Sequence, residues 1–449
     1  MKPRRPAAPS RLMRSAPPTE SDSTSEMVAQ LRRDRVIYDG VTGLPIHPFD
    51  DPARAHERIP HLGVIYIQIG KFFGFEELYG WELYDQVLVV VSRGLREDVE
   101  RSRYAAHLFS IRYSGSDGFY VLYALPQPAR GRGSVSLDAE AARFQTNALK
   151  RLRSAFGGTV VDLVTVHTSS LVTSDNPRVR PSRHLTRQLY EAVKIVSQSQ
   201  TREKIDLYVA LKRVMGGKQL RAAFQPLRHL ADGVVLGWEA LIRGPQGSPF
   251  ETPNVLFAVA RANDMDVELE TLCLETIFGA LPRGVGSRRL FVNASSMLLR
   301  HPVFLDERNL TSINRSHSDV VIEISEKEIV DYSSFGDILE AVRGAGLKIA
   351  IDDAGSGYSG LEAILHLRPD YIKVADSLVR GLEDDPIKRE IISSLAAIGR
   401  RIDATLVAEG IEREPERDAL IALGVKYGQG YFLGRPSFQV SSRAVAGHA

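Results

Sequence analysis

The segment KIAIDDAGSGYSGLEAILHLRPDYIKVA (348–375) contains a strand, a helix and a second strand, in that order. The apolar run KIAIDDA ends in two aspartates, GLEAILHLR has helical periodicity, and YIKVA again has the composition of a buried strand. Two strands separated by a helical segment predict a βαβ unit, in which the strands run parallel. The fold class therefore depends on whether this unit repeats along the chain.

The same alternation of strand and helix begins near residue 219 and continues towards the end of the sequence. Eight strand candidates with helical crossovers predict an α/β fold, here a modified TIM-type (β/α)8 barrel. The first two strands are joined only by the short turn HLADG (229–233), which predicts a hairpin. The strand candidates are AAFQPL (222–227), VVLGWEALI (234–242), RLFVNAS (289–295), VVIEIS (320–325), KIAIDDA (348–354), YIKVA (371–375), TLVAEG (405–410) and KYGQGYFLG (426–434).

The first half of the chain has a different rhythm, which predicts a separate α/β domain over residues 36–180 with helices packed on a sheet. Residues 181–215 form a nearly unbroken helical pattern, either one linker helix that couples two domains or two consecutive helices. The barrel domain then occupies residues 216–449. The elements predicted in the first domain are the strands GVIYIQIG (63–70), FYVLYAL (119–125) and TVVDLVTVHTSSLVT (159–173), and the helices ELYDQVLVVVSRGLRE (82–97) and DAEAARFQTNALKRLRSAF (138–156).

Composition places the 449-residue chain among ordinary globular proteins, with 43% hydrophobic and 25% charged residues. The net charge of +2 gives no reason to expect a nucleic acid polymer as partner. Residues 1–35 are rich in Pro, Ser and Arg, so we expect a disordered basic tail without the apolar stretch of a signal peptide. We also expect no membrane span, a buried Cys273 without a disulfide, and a cytoplasmic location.

Polar residues occur at the carboxyl ends of the predicted barrel strands, which is the end of such a barrel that carries the active site. Carboxylates crowded together there would raise each other's pKa, and bound divalent cations would relieve this repulsion. Oxygen donors without a cysteine or histidine cluster favour Mg²⁺ or Mn²⁺ over Zn²⁺. The residues concerned are Glu239, Asn293, Glu323, Asp352, Asp353, Lys373, Glu409 and Gln429.

A series of short motifs runs through the second half of the chain. The motifs are FQP (224–226), EALIRG (239–244), VNAS (292–295), EISE (323–326), IDDAGSGYSGL (351–361), YIKV (371–374), AEGIE (408–412) and GQGYFLGRP (428–436). This series, in this order, resembles the EAL-domain cyclic di-GMP phosphodiesterases over residues 205–440. The tripeptide EAL alone would be weak support.

The resemblance implies metal-dependent hydrolysis of cyclic di-GMP to linear pGpG, with two Mg²⁺ or Mn²⁺ ions per active site. It implies one ion held by Glu239, Asn293, Glu323 and Asp352, and a second held by Asp352, Asp353 and Glu409. It also implies that Lys373 and Gln429 position or deprotonate the attacking water, and that Arg243 binds a substrate phosphate. The implied catalytic residues are Glu239, Asp353, Lys373, Glu409 and Gln429, and the implied substrate-binding residues are Gln225, Pro226, Leu241, Arg243, Glu412 and Pro436.

Two positions depart from the family pattern. Ala375 stands where the family usually has Asp, and Ala354 stands where it usually has Phe. Neither change removes an implied metal ligand, so we expect slower or differently regulated turnover. A non-catalytic cyclic di-GMP receptor is the main alternative, and a scaffold that binds no nucleotide is a third possibility.

The first half resembles a GGDEF domain more loosely, through DGVTGLP (39–45) and RYSGSDGF (112–119). Several positions depart from the residues that the resemblance implies for catalysis: Gln68 replaces the family's metal-binding Asp, Glu76 replaces its guanine-reading Asn, and Gly118 leaves Asp117 as the remaining acid of the signature. Because phosphoryl transfer needs carboxylates to hold Mg²⁺ on the triphosphate, we expect a catalytically inactive domain. Its role would be regulatory or dimerising, and we expect a homodimer.

Overall fold

The structure is a computed structural model, and it describes residues 37–46, 59–71, 75–115, 117–126, 136–281, 288–306, 319–325, 335–355 and 360–439. The tail predicted to be disordered lies outside the described residues. The chain divides into two compact units, one of Met1–Gly70 with Trp81–Thr201 and one of Lys71–Gly80 with Arg202–Ala449. In the described part, no helix is long and apolar enough to cross a membrane.

The first unit contains a four-stranded sheet in the order β2-β3-β1-β4. Strand β1 pairs antiparallel with β3, and β3 pairs antiparallel with β2. The elements of this part of the chain, including one short helix that groups with the second unit, are β1 (His61–Lys71), α1 (Phe75–Tyr79), α2 (Trp81–Glu100), a 3₁₀ turn (Ala105–His107), β2 (Leu108–Tyr113), β3 (Gly118–Leu125), α3 (Asp138–Val161), β4 (Val164–Ser174) and α4 (Pro181–Gly216).

Two details of this unit differ from the sequence prediction. Strand β4 begins at Val164, whereas the apolar run suggested residue 159, because the chain resumes helical geometry after a break at Gly157 (φ 77°) and α3 continues to Val161. Strand β2 was not predicted at all, since LFSIRY lacks a regular apolar alternation. The linker is one continuous helix of 36 residues and not two. Its first half packs on the sheet through Leu189, Ala192 and Val196.

The second unit alternates strands and helices. Its elements are β5 (Arg221–His229), β6 (Val235–Arg243), α5 (Pro253–Arg261), α6 (Asp266–Ala280), β7 (Arg289–Asn293), α7 (Ser296–Arg300), α8 (Pro302–Leu305), β8 (Val320–Ser325), α9 (Gly336–Gly344), β9 (Lys348–Ala354), α10 (Gly360–Leu367), β10 (Tyr371–Val374), α11 (Asp376–Val379), α12 (Pro386–Ile402), β11 (Thr405–Ala408), α13 (Glu414–Ala422) and β12 (Tyr427–Gly428).

Strands β5 to β12 close into an eight-stranded barrel, which confirms the predicted TIM-type architecture. Neighbouring strands from β6 to β12 run parallel. Strand β5 runs antiparallel to both of its neighbours, β6 and β12, so the predicted hairpin is also confirmed. In its register, Gln225 lies opposite Glu239.

Strand β12 contains only Tyr427 and Gly428, although the sequence suggested a strand over 426–434. After Gly428 the chain turns, with the Leu433 N–H donating to the Gly430 carbonyl. A Cβ atom on Gly430 would overlap the backbone of Ile411. This close approach explains why residue 430 is a glycine. Strand β12 ends here because the residues that follow it pack against the loop between β11 and α13.

Candidate active site

The floor of the site is an apolar layer inside the barrel. Phe291, Val321, Ala350, Tyr371 and Val407 form one buried cluster with Leu227. Side chains alternate between the two faces of a strand, so the residue two positions further along points the same way. On the five parallel strands, the residue two positions after the apolar one is polar. Strand β5 runs in the opposite direction, so its polar residue lies two positions before Leu227. These residues are Asn293, Glu323, Asp352, Lys373, Glu409 and Gln225.

Lys373 lies at the centre of this polar layer and is only 1% exposed. Its ammonium nitrogen is 2.8 Å from Glu323 Oε1 and 2.8 Å from Glu409 Oε1. It is 3.0 Å from Asp352 Oδ1 and 3.5 Å from Glu239 Oε2. One cation therefore faces four carboxylates, and the group would carry a net charge of −3 if all were ionised. We call these five residues the Lys373 cluster.

Burial and charge act together on the proton affinities in this cluster. Burial, followed by the neighbouring carboxylates, raises the pKa of Glu323 and Glu409 well above the ordinary value. Burial alone would lower the pKa of Lys373, but the surrounding carboxylates raise it instead. The cluster therefore has an excess of negative charge that either protons or added cations can offset.

Three amide side chains complete the cluster on the side of the reversed strand. Gln429 Nε2 donates to Glu239 Oε2 at 2.5 Å and to Gln225 Oε1 at 3.1 Å. Asn293 Nδ2 donates to Glu239 Oε1 at 3.3 Å. Both oxygens of Glu239 are thus oriented by amide groups. The sequence predicted all of these residues as site residues, and the structure brings them together.

The donor atoms present are compatible with hard divalent cations. Glu323 Oε2 and Gln429 Oε1 are buried without a hydrogen-bond donor among the described residues. Oxygen atoms of carboxylates and amides are the ligands that Mg²⁺ and Mn²⁺ prefer. In the described part of the chain, however, no three acidic, histidine or cysteine side chains are arranged around one ion position. The Lys373 ammonium lies between the carboxylates instead.

Asp352 and Asp353 lie at an irregularity in the sheet. Strand β9 pairs Ile351 with Ile372 and Ala354 with Val374, so two aspartates lie opposite the single residue Lys373. Such a bulge re-aims side chains and is common beside active sites. Asp353 has a φ of 58°, a conformation that non-glycine residues adopt rarely and that concentrates at functional sites. The bulge interrupts the regular alternation of side chains at these two consecutive aspartates.

The predicted substrate residues near β5 and β6 lie beside the amide side of the cluster. Gln225 Nε2 donates to the Gly434 carbonyl at 3.0 Å, and a Cβ atom on Gly434 would contact Pro226. Ser437 pairs with Phe224 of β5, so the segment that carries Pro436 runs next to this strand. Leu241 is half-buried on β6.

Arg243 and Glu412 differ in how the structure places them. Arg243 is half-buried at the end of β6, where it donates to the Ile242 carbonyl, and burial lowers its pKa. Glu412 accepts a hydrogen bond from Arg380 at 3.4 Å, and half of its side chain is exposed. The structure does not bring Glu412 to the Lys373 cluster, so its substrate-binding role stays a prediction.

The two departures from the family pattern are both buried alanines. Ala354 and Ala375 are at most 1% exposed. Asp376, next to Ala375, is largely exposed and lies 3.8 Å from Arg380. It therefore does not supply the carboxylate that is missing at position 375.

Sequence reasoning missed Glu270, which supports the end of strand β7. Its Oε2 accepts the N–H of Ser295 at 2.9 Å, and the Ser295 hydroxyl in turn caps α7 at Leu298. These contacts fix the backbone just after Asn293. The only sequence signal was an acid on the apolar face of a helix, which by itself indicates no particular role.

Comparisons with known proteins agree on one family. The sequence profile of the EAL domain matches residues 209–436. MucR of Pseudomonas aeruginosa, a bifunctional diguanylate cyclase and cyclic di-GMP phosphodiesterase, is 25% identical over 83% of this chain and 55% of its own length. The cyclic di-GMP phosphodiesterase PdeR of Escherichia coli is 24% identical over 93% of this chain and 64% of its own length. The chain thus spans less than two thirds of either relative.

Among solved structures, the complex of the PaMucR phosphodiesterase with c-di-GMP is 28% identical. The match covers 52% of this chain and 97% of the solved chain, with a TM-score of 0.47.

Proposed function

The chain belongs to the EAL-domain family, whose profile covers just over half of it, and from this premise we propose that it hydrolyses cyclic di-GMP to linear pGpG with two Mg²⁺ or Mn²⁺ ions. The observation that carries this proposal is the Lys373 cluster at the carboxyl end of the barrel. Four carboxylates around one buried cation are costly for folding unless further cations bind. A phosphodiester substrate and divalent ions are the partners that such a site would accept.

In the proposed site, Glu239, Asn293, Glu323 and Asp352 would hold one ion, and Asp352, Asp353 and Glu409 would hold the other. When bound, the ions would supply an activated water and stabilise charge on the attacking and leaving oxygens. The protein's own groups would arrange the reactants. The three N–H groups of Lys373 face Glu323, Asp352 and Glu409. With these carboxylates on the ions, Lys373 would have a donor for the attacking water.

The amide and guanidinium groups would act on the other side of the substrate. Gln429 already orients Glu239, and its Oε1, which has no hydrogen-bond partner among the described residues, would accept from the water. Arg243 would pair with a phosphate of the dinucleotide, because a guanidinium group can bind two phosphate oxygens at once. Gln225, Pro226, Leu241 and Pro436 would line the groove beside it.

The test is incubation of the purified protein with cyclic di-GMP and Mg²⁺ or Mn²⁺, followed by chromatographic separation of nucleotides. We expect pGpG to accumulate, and excess EDTA to stop its formation. Glu239→Gln should abolish most of the activity, whereas Glu268→Gln, the same change on the exposed face of α6, should not. Full activity in excess EDTA would refute the role of the metal ions.

A non-catalytic receptor is the second candidate, and Ala375 favours it. The buried alanine leaves the cluster without the acid that the family usually carries there, and Asp376 lies beside Arg380 instead. Tight binding of cyclic di-GMP without turnover in either Mg²⁺ or Mn²⁺ would support this alternative over hydrolysis.

We also propose that residues 36–180 are a degenerate GGDEF-like domain without cyclase activity, which serves a regulatory or dimerising role. The register of β1 and β3 places Gln68 opposite Gly118, the positions where the family has acids. Tyr66 is buried between them, and its hydroxyl donates to Gln68 Oε1. A Cβ atom on Gly118 would overlap the Tyr66 ring. Tyr66 therefore takes the space that an acidic side chain at position 118 would need.

We further propose a homodimer that forms through α10 and α12. Leu361 and Leu365 of α10 are exposed, as are Ile387 and Ile391 of α12, with Leu365 at 68% and Ile387 at 72%. Each pair is spaced four residues apart and so lies on one helix face, and exposed apolar faces are the kind of surface that a partner covers. A second copy of the chain could cover this surface symmetrically. Sedimentation of Leu365→Glu/Ile387→Glu should show monomers, and a mass equal to that of the wild-type dimer would reject this face.

A further inference from the structure

The loop between β11 and α13 carries Glu409, and four of its five backbone N–H groups donate hydrogen bonds. The Glu409 N–H donates to the Val374 carbonyl at 3.1 Å, next to Lys373 in strand β10. The Ile411 N–H donates to the Gln429 carbonyl at 3.1 Å. Gly410 between them has a φ of 67°, and a Cβ atom there would contact Asp376. A shift of this loop would therefore move Glu409 relative to both Lys373 and Gln429.

Glu416 holds the far end of this loop. It is completely buried, and its Oε2 accepts the N–H groups of Glu412 and Arg413 at 2.9 and 3.0 Å. Its Oε1 accepts the Gly381 N–H at 3.2 Å and two guanidinium N–H groups of Arg413 at 3.2 and 2.9 Å. Burial alone would raise the pKa of Glu416, but these donors hold it below its ordinary value.

These contacts tie together two loops that leave adjacent strands of the site. Gly381 follows α11, after the strand that carries Lys373, whereas Glu412 and Arg413 follow the strand that ends before Glu409. Arg413 also lies 2.6 Å from Glu383, in the same segment as Gly381. The carboxylate of Glu416 is thus the common acceptor through which both loops are held.

We propose that Glu416 is a positioning residue for the hydrolysis, because it fixes the loop that places Glu409 in the Lys373 cluster. This inference rests on the proposed function and names a residue that never touches substrate or metal. Removal of the carboxylate would leave three partly buried backbone N–H groups without their acceptor, and the loop would then shift to satisfy them. Glu409 is three residues from the nearest of these groups.

The test compares Glu416→Gln with Glu414→Gln. The first change keeps the shape of the side chain but places an NH₂ group against N–H donors. The second makes the same change on the same helix, at a side chain that is 65% exposed. Loss of a group that orients a metal ligand typically weakens metal affinity or activity by about 10–100-fold. Since Glu416 acts through the backbone, we expect Glu416→Gln to weaken Mn²⁺ binding and lower kcat by about 10-fold, with KM for cyclic di-GMP unchanged. Glu414→Gln should match the wild type.

A double variant separates positioning from a general loss of stability. Arg413 is the N-cap residue of α13 and Glu416 is at its third position. Thr and Gln at these positions form a neutral capping box. Arg413→Thr/Glu416→Gln should therefore recover most of the Mn²⁺ affinity and kcat.

Mn²⁺ affinity measured by calorimetry keeps this inference separate from the proposed activity. A wild type that binds Mn²⁺ without hydrolysing cyclic di-GMP would reject the proposed function, and weakened Mn²⁺ binding in Glu416→Gln would still support the positioning role. A folded Glu416→Gln protein with wild-type Mn²⁺ affinity would overturn the inference.

Discussion

Replacement of Lys373 by methionine removes the cation that faces four carboxylates, two of them buried and two partly exposed. Methionine has a similar length, so the change deletes the charge and its N–H donors but little volume. Breaking a buried ion pair by removal of one partner costs about 3–5 kcal/mol. Here the ammonium lies within 3.0 Å of three carboxylates. We therefore expect the metal-free variant to lose about 3–5 kcal/mol of unfolding free energy at neutral pH.

The pH dependence of this loss has a definite sign. Burial raises the pKa of Glu323 and Glu409 in the folded protein. Between the ordinary and the raised pKa, the folded state binds more protons than the unfolded state, so stability falls as pH rises. In the wild type the Lys373 ammonium offsets part of this rise in the pKa of both carboxyl groups. Its loss matters most where these groups are ionised, so the destabilisation of Lys373→Met should shrink on acidification.

Urea unfolding followed by the fluorescence of Trp238 measures this loss in the barrel itself. Trp238 is buried in β6, and a Trp81→Phe background removes the other tryptophan of the chain. Mn²⁺ at about 100 times its Kd should restore about 2.7 kcal/mol of the unfolding free energy. It should not restore turnover, because the attacking water still lacks its donor.

Lys348→Met is the matched control. Lys348 is partly exposed and lies 3.8 Å from Asp319, and a surface ion pair contributes about 0–1 kcal/mol. If metal-free Lys373→Met were as stable as Lys348→Met, the ammonium would not be the counter-charge of the cluster. Retained kcat in Lys373→Met would separately remove Lys373 from the reaction.

Three further results are expected. Loss of a group that only orients a metal ligand can lower activity by roughly 100-fold. Glu239→Gln changes a proposed metal ligand itself, so steady-state production of pGpG should show a larger loss of kcat. Arg243→Ala should mainly raise KM, with a smaller loss of kcat, because its phosphate contact is already made in the ground state; an unchanged KM would contradict this role. The Glu239→Gln protein incubated with GTP should yield no cyclic di-GMP, because Gln68 and Gly118 replace the required acids, and product detected by chromatography would restore a cyclase function to the first half.

The barrel and most of the site could be predicted because the same sequence pattern encodes both. Each of the strands β7 to β11 is an apolar run that leads to an inward-facing polar residue, as in Tyr371 followed by Lys373 or Val321 followed by Glu323. The period of two along a strand places these polar residues in one layer. The motif order then identified the family that the profile match confirms.

What the sequence did not reveal depends on contacts between distant segments. Glu270 and Glu416 are acids in helices, and only the fold shows that their carboxylates accept backbone N–H groups from loops beside the site. The early end of β12 has the same origin, since Gly430 must pass close to Ile411. The bulge at Asp353 was also invisible, because two consecutive aspartates do not indicate which strand register they will interrupt.

The reversed strand β5 divides the site into two parts with different chemistry. The parallel strands β8 to β11 contribute or precede Glu323, Asp352, Lys373 and Glu409, which form the charged part. The antiparallel seam of β12, β5 and β6 contributes the amides Gln225 and Gln429, and it borders the proposed substrate groove. Substitutions on the parallel side should therefore change metal binding and kcat, and substitution of Gln225 on the seam should change KM. Glu239 belongs to both parts, because it lies on β6 and contacts Lys373 as well as Gln429, so its loss should affect binding and turnover together.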